Sequence, residues 1–282
     1  MSFIDPDVAE RVDRLELPFN RYGLDPYGID KAYLRGFFSF LSFVSRRWLT
    51  VTAHGVENVP TQGRTMIVGN HSGGVALDGG MILASLLLDM EPPRLGQGMA
   101  EKFLNRTPFA STILSRVGQF TGLPEHAVRL LEDDRLLMVF PEGARGTAKL
   151  YKERNSLVRF GTGFMRLALQ TGTPIVPTAF IGGGEAIPTF MNLYRVGKLV
   201  GAPYVPVTPW IAPLPRPTSC QIYYSTPMVF DGDGSEEDDV IQGWVDQVKD
   251  RIGQLIEFGV ENRRTGDFSR PVPGASASED AA

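Results

Sequence analysis

A chain of 282 residues, 43% of them hydrophobic, carries enough apolar material for a substantial core and is too apolar to be disordered throughout. A formal charge of -4 with scattered basic residues excludes the electrostatic footprint of a nucleic-acid binder. The single cysteine, Cys220, excludes an internal disulfide framework and suits a reducing compartment.

Residues 1–28 are polar with scattered prolines, lack the apolar run of a cleavable signal, and are expected to wrap the surface. Residues 29–50 read as a helix, because Tyr33, Phe37, Phe40, Leu41, Val44 and Trp48 recur at three-and-four spacing. Its uncharged stretch, residues 36–45, is far short of the roughly 20 residues a bilayer span requires. The helix therefore either packs on the core or lies in a membrane interface, with Arg46, Arg47 and Trp48 at headgroup level. The interfacial reading is the expectation taken forward.

Residues 51–56 read as a first strand. Thr65-Met66-Ile67-Val68-Gly69 is a continuous apolar run of the kind found in strands buried on both faces. Helix is expected over 79–90, strand over 95–100, helix over 101–116 and 127–132, and strand over 136–140. Residues 163–170 read as helix ended by Thr171-Gly172, and 174–180 as strand. Strands alternating with helices predict an α/β fold, with a mostly parallel central sheet flanked by helices.

Residues 186–217 break the alternation. They are rich in Pro, Val, Leu and aromatics, and read as a packed irregular segment or as a lipid-facing lip. A last strand is expected over 219–225 and an amphipathic helix with an acidic start over 235–260. From Arg263 the composition turns to Gly, Ser, Ala, Asp and Glu, so 263–282 is expected to be disordered. The domain reading is an N-terminal segment with the interfacial helix over 1–50, one catalytic domain over 51–262, and the tail.

Two strings carry chemistry. Asn70-His71-Ser72-Gly73-Gly74-Val75-Ala76-Leu77-Asp78 puts a histidine and a carboxylate just after an apolar strand, where α/β sheets bind ligands. Asp78 is placed to accept the Nδ1 proton of His71 and leave Nε2 free as a base. Asp78 is equally suited to cap the following helix, and the two roles are compatible. Phe140-Pro141-Glu142-Gly143-Ala144-Arg145 puts a carboxylate, a glycine turn and an arginine after a second strand, an arrangement suited to an anionic group.

In these strings the chain resembles the glycerolipid acyltransferase superfamily, which includes the lysophosphatidic acid acyltransferases. Asn70 and His71 match the start of its first motif. Six residues separate His71 from Asp78, and the Gly-Gly form with this longer gap is similar to the monoacylglycerol- and diacylglycerol-acyltransferase-like branch. Phe140-Pro141-Glu142-Gly143 with Arg145 resembles the third block and Ile175-Val176-Pro177 the fourth. The second block is poorer: Gly118-Gln119-Phe120-Thr121-Gly122 is followed by Leu123-Pro124, and Arg129 comes late. The likeness covers roughly residues 30–230, with order and spacing kept.

The resemblance implies transfer of a fatty acyl group from acyl-CoA or acyl-carrier protein to a glycerolipid hydroxyl such as a lysophospholipid. His71 would be the base and Asp78 its orienter. Glu142, Gly143 and Arg145 would position the acceptor, and N–H groups of the Ser72-Gly73-Gly74 turn would steady the oxyanion. No cofactor beyond the acyl donor and no metal is expected. The implied partners are a membrane lipid acceptor, the donor and a membrane surface at the cytoplasmic face. Two rivals stand beside this: a serine hydrolase using Ser72, which would need His126 as a separate base, and a non-catalytic lipid-binding protein on the same fold.

Overall fold

The structure, a computed structural model, describes residues 4–72, 76–100, 110–121, 124–210 and 214–274. Among the described residues the strands are β1 (Val51–His54), β2 (Thr65–Gly69), β3 (Gly96–Ala100), β4 (Gln119–Thr121), β5 (Leu136–Val139), β6 (Ile175–Ile181), β7 (Met191–Leu193), β8 (Val205–Val207) and β9 (Cys220–Tyr224). The α-helices are α1 (Pro6–Asp13), α2 (Lys31–Phe43), α3 (Leu77–Leu88), α4 (Ala110–Arg116), α5 (Pro124–Glu132), α6 (Ala144–Thr147), α7 (Gly163–Thr171), α8 (Gly183–Ala186), α9 (Tyr194–Val200) and α10 (Asp238–Thr265).

Seven strands form one sheet in the order β1-β9-β6-β2-β5-β3-β4. The five strands from β6 to β4 are parallel; β9 meets β6 antiparallel, and β1 runs with β9. Every residue of β2, β6 and β9 is buried, as strands covered on both faces should be, the polar Thr178 and Gln221 included. Side chains alternate between two cores. Ile67, Met138, Val176 and Ile222 join Val8, Leu34, Phe38, Ile82 and Leu86 from α1, α2 and α3. Met66, Val68, Leu137 and Ala179 join Leu130, Met165, Val245, Ile252 and Ile256 from α5, α7 and α10 on the other face. The two helical layers close the sheet and leave the carboxyl ends of the parallel strands to carry the site.

Several expectations differ from the molecule. Residues 1–28 contain a capped helix, with Asp5 accepting from the Asp7 N–H, and its Val8 and Val12 are fully buried. The N-terminal segment therefore shares a core with the sheet. The predicted 29–50 helix is α-helical to Phe43 and then widens into a π-helical turn, Val44–Trp48. Its buried face is Leu34, Phe38 and Leu41, while Tyr33, Phe40, Phe43 and Trp48 stay exposed. The 101–109 part of the helix expected over 101–116 lies outside the described residues, and α4 accounts for the rest.

Residues 186–217 are an organised excursion: β7 and β8 pair antiparallel around α9. Residues 211–213 lie outside the described residues. At the C-terminus, α10 continues to Thr265, and residues 266–274 pack back, with Ser225 Oγ donating to the Pro273 carbonyl at 3.1 Å. Residues 275–282 lie outside the described residues.

Candidate active site

The loop leaving β2 is held to the sheet by a side chain. The Asn70 amide accepts from the Phe180 N–H at 2.7 Å and donates to the Phe180 carbonyl at 3.1 Å, so it continues the pairing of β2 with β6 by one rung. The next residue, His71, lays its ring on Phe140, centroids 4.2 Å apart and planes 8° from parallel. Gly69 lets Phe140 approach, for a Cβ there would stand 3.2 Å from the ring.

Asp78, in the first turn of α3, reaches back across the longer loop, and its Oδ2 lies 2.7 Å from His71 Nδ1. The Ser72 N–H donates to the same oxygen at 2.7 Å, and the Gly79 N–H to Oδ1 at 2.7 Å. Asp78 is fully buried. A carboxylate that only accepts keeps the imidazole proton on Nδ1 and leaves Nε2 as the basic atom. The histidine side chain keeps about a tenth of its surface, 10%, open to solvent, so the base is reachable from one side.

Glu142 supplies a second layer. Its Oε1 accepts from the His71 backbone N–H at 2.9 Å, and its Oε2 accepts from the Val158 N–H at 3.1 Å. Lys149 Nζ lies 2.9 Å from Oε2 and 3.1 Å from Oε1, and also donates to the Ser156 carbonyl at 2.8 Å. The carboxylate has no exposed surface. The expectation that Glu142 touches the acceptor is therefore corrected: its oxygens are occupied by protein donors, and its geometry positions the His71 backbone. Gly143 turns the chain at φ 56°, ψ -151°, a conformation open essentially to glycine alone. Arg145, two residues on, is exposed and has no hydrogen bond or ion pair among the described residues, so its guanidinium is free for an anion. Lys152 is exposed, and Arg154 is committed to Glu185 at 2.9 Å and to the face of Tyr151.

The oxyanion expectation needs one correction as well. The Ser72 N–H is spent on Asp78, so it cannot serve a developing oxyanion; Gly73 and Gly74 lie outside the described residues. Ser72 is buried, and among the described residues no histidine is hydrogen-bonded to its Oγ, which removes the pairing a serine hydrolase requires. His126 is exposed on α5, and His54 is stacked between Tyr223 and Phe268. In the second block, Gly122 and Leu123 lie outside the described residues, and Arg129 is exposed on α5. A cavity of about 620 Å³ is lined by Gly63, Arg94 and Arg135, just ahead of β2, β3 and β5, whereas His71 follows β2, so this cavity is separate from the dyad.

Two residues of the site escaped the sequence reading. Lys149 stands seven residues after the carboxylate it neutralises, in a cationic stretch with Arg145, Lys152 and Arg154 from which the sequence alone does not single it out. Gly146 is the other. A Cβ there would stand 2.6 Å from His71 Cβ and 2.7 Å from Glu142 Cβ, so this glycine lets α6 pass against the loop that carries His71.

The family described as Acyltransferase matches residues 50–181, a span that contains the dyad, Glu142 and Lys149. An uncharacterized protein of Mycobacterium tuberculosis is 30% identical over 254 residues, covering 86% of this chain and 71% of that protein. One of Mycobacterium leprae is 31% identical over 258 residues, covering 87% and 68%. A Bos taurus protein named DGAT1/2-independent enzyme synthesizing storage lipids is 25% identical over 130 residues, 46% of this chain and 38% of its own. In fold, the chain is similar to the crystal structure of the 1-acyl-sn-glycerophosphate (LPA) acyltransferase PlsC from Thermotoga maritima. The TM-score is 0.55 at 18% identity, over 85% of this chain and 84% of that one. With the motifs in order on this sheet and the histidine and aspartate in contact, the chain belongs to the acyltransferase superfamily.

Proposed function

We propose that this protein moves a fatty acyl group from an acyl thioester, acyl-CoA or acyl-carrier protein, to a glycerolipid hydroxyl such as that of a lysophospholipid. The work is done at the cytoplasmic face of a membrane. His71 Nε2 takes the hydroxyl proton as the oxygen attacks the thioester carbonyl. The tetrahedral intermediate collapses with release of the thiolate, which takes the proton back from the imidazolium. An ester and a free thiol result. Asp78 orients the ring and stabilises the imidazolium. Glu142, held by Lys149, fixes the His71 backbone, and Arg145 meets an anionic group of the acceptor or donor.

The observation that carries this reading is the 2.7 Å contact between His71 Nδ1 and buried Asp78, with the other ring nitrogen left over. A base so placed contributes roughly 10²–10⁴-fold. The test is mass-spectrometric profiling of products from labelled long-chain acyl-CoA and a panel of lysophospholipids and monoacylglycerols. Wild type is compared with His71→Ala. Transfer should vanish in the variant while its thermal melt stays cooperative; a folded variant that still transfers would reject the assignment.

A further inference from the structure

The excursion formed by β7, α9 and β8 grows out of the active-site end of the sheet. It follows β6 and α8, and its root is tied to the loop after Glu142. The Tyr151 N–H donates to the Thr189 carbonyl at 2.7 Å, and Asn192 Nδ2 donates to the Ala148 carbonyl at 2.6 Å. Its outer surface is unusually apolar. Leu199 is 86% exposed, and Phe190, Met191, Tyr194 and Leu214 are each more than half exposed. Single exposed apolar residues are ordinary, but several large ones on one short excursion point to an interaction surface.

The cluster continues into the N-terminal helix. Trp48 Nε1 donates to the Pro215 carbonyl at 2.8 Å, which ties the exposed end of α2, with Phe40 and Phe43, to the edge of the excursion. Charge singles out the same surface. The chain carries 32 acidic residues, yet none falls in 31–56 or in 186–230. Arg47, Arg195, Lys198 and Arg216 project from these segments, and none has an ion-pair partner among the described residues. An apolar patch flanked by unpaired cations, on a chain of net charge -4, is complementary to an anionic bilayer surface. Trp48 and Trp210 supply the amphipathic rings that favour headgroup depth. No helix among the described residues is long and apolar enough to cross a membrane, so the contact is one of lying on the surface.

We propose that the β7–α9–β8 excursion and the exposed end of α2 form one docking face. It seats on an anionic lipid surface and brings the His71 end of the sheet to the headgroups. The proposal rests on the acyltransferase reading for its purpose, while the docking itself is measured without substrate. The full chain is sedimented with phosphatidylcholine vesicles, with and without phosphatidylserine, and its tryptophan emission is read against brominated acyl chains. Wild type should bind the phosphatidylserine vesicles and be quenched. Phe190→Glu with Leu199→Glu, both exposed positions, should lose at least ten-fold in binding with an unchanged melt. Arg195→Glu with Lys198→Glu should weaken the preference for phosphatidylserine, at roughly five-fold per cation. His71→Ala should bind as wild type does.

Equal vesicle binding by wild type and the Phe190/Leu199 variant would overturn the proposal. So would a wild-type dimer in sedimentation equilibrium that this variant splits, with no vesicle binding by either. Transfer between water-soluble short-chain substrates keeps the two readings apart. If the variant loses vesicles but keeps that transfer, both stand. If wild type binds vesicles but transfers to no acceptor, the docking face stands and the acyltransferase reading falls.

Discussion

Gly146→Ala tests how the second string governs the first. The added methyl would stand 2.6 Å from His71 Cβ and 2.7 Å from Glu142 Cβ. Both are Cβ atoms, fixed to the backbone, so no rotamer change relieves the contact. With about 3.5 Å as the near limit of ordinary carbon–carbon contact, the gap must open by roughly 0.9 Å. Overpacking of this kind costs about 1–3 kcal/mol, which lowers Tm by roughly 2–12 °C for a chain of this size. The effect on turnover is larger in proportion, because displacing a reacting group by about 1 Å costs on the order of 10²-fold. The variant should fold, with kcat down roughly 10- to 100-fold and the acceptor KM changed far less. The assay is steady-state transfer beside a thermal melt. Gly243→Ala serves as the control, for Gly243 is exposed within α10 with open space at its Cβ position, and this change should add about 0.5–1 kcal/mol. Full kcat and an unchanged melt in Gly146→Ala would refute the reasoning, since α6 would then yield without moving His71.

Three further outcomes follow from the same geometry. Lys149→Met removes the cation from a carboxylate with no exposed surface and should cost about 3–5 kcal/mol in urea unfolding. Lys149→Met with Glu142→Gln should recover part of that, and a neutral single variant would argue against the pair. Arg145→Ala should raise the KM for a phosphate-bearing acceptor by roughly 10- to 100-fold, the worth of a charge-assisted hydrogen bond. An equal rise for an uncharged monoacylglycerol would remove the anion from the argument. At His54, burial between Tyr223 and Phe268 holds the imidazole below its ordinary value, against an opposing pull from Glu57. The unfolded chain then binds more protons at this site, so stability falls as pH drops from about 6.5 towards the depressed folded value and levels off below it. Melts from pH 8 to 5 should show this component, and His54→Phe, which keeps the stack, should flatten it; the same slope in that variant would refute the assignment.

Where the chain repeats one physical pattern over several residues, the sequence was sufficient. β2, β5 and β6 were legible because strands covered on both faces are predominantly apolar along their whole length. The His71–Asp78 contact was legible because a histidine leaving such a strand and an acid at the next helix start are brought to the same end of the sheet. The reversal of β9 and β1 was not, since strand direction depends on the path of the chain and not on local composition. α1 hid behind its charges, with only Val8 and Val12 fully buried in eight residues. On α2 the apolar residues divide, Leu34 and Phe38 reaching the core while Tyr33 and Phe40 point away, a division that three-and-four spacing alone does not assign. Lys149 and Gly146 owe their roles to contacts with segments distant in sequence or to a missing side chain, and neither leaves a periodic trace. The end of α10 did leave one: Gly266, at φ 73°, takes the left-handed turn that stops the helix just after Arg263 and Arg264.

The rung added by Asn70 sets where motion is permitted. An amide both donates and accepts hydrogen bonds, so one side chain satisfies both backbone groups of Phe180; aspartate could only accept, and alanine could do neither. The backbone that carries His71 is thereby suspended from the middle of the sheet, beside the β2–β6 pairing, where opening is costliest in free energy. On the proposed reaction, a substrate would meet a preset imidazole, and any rearrangement that admits an acyl chain would belong to the periphery.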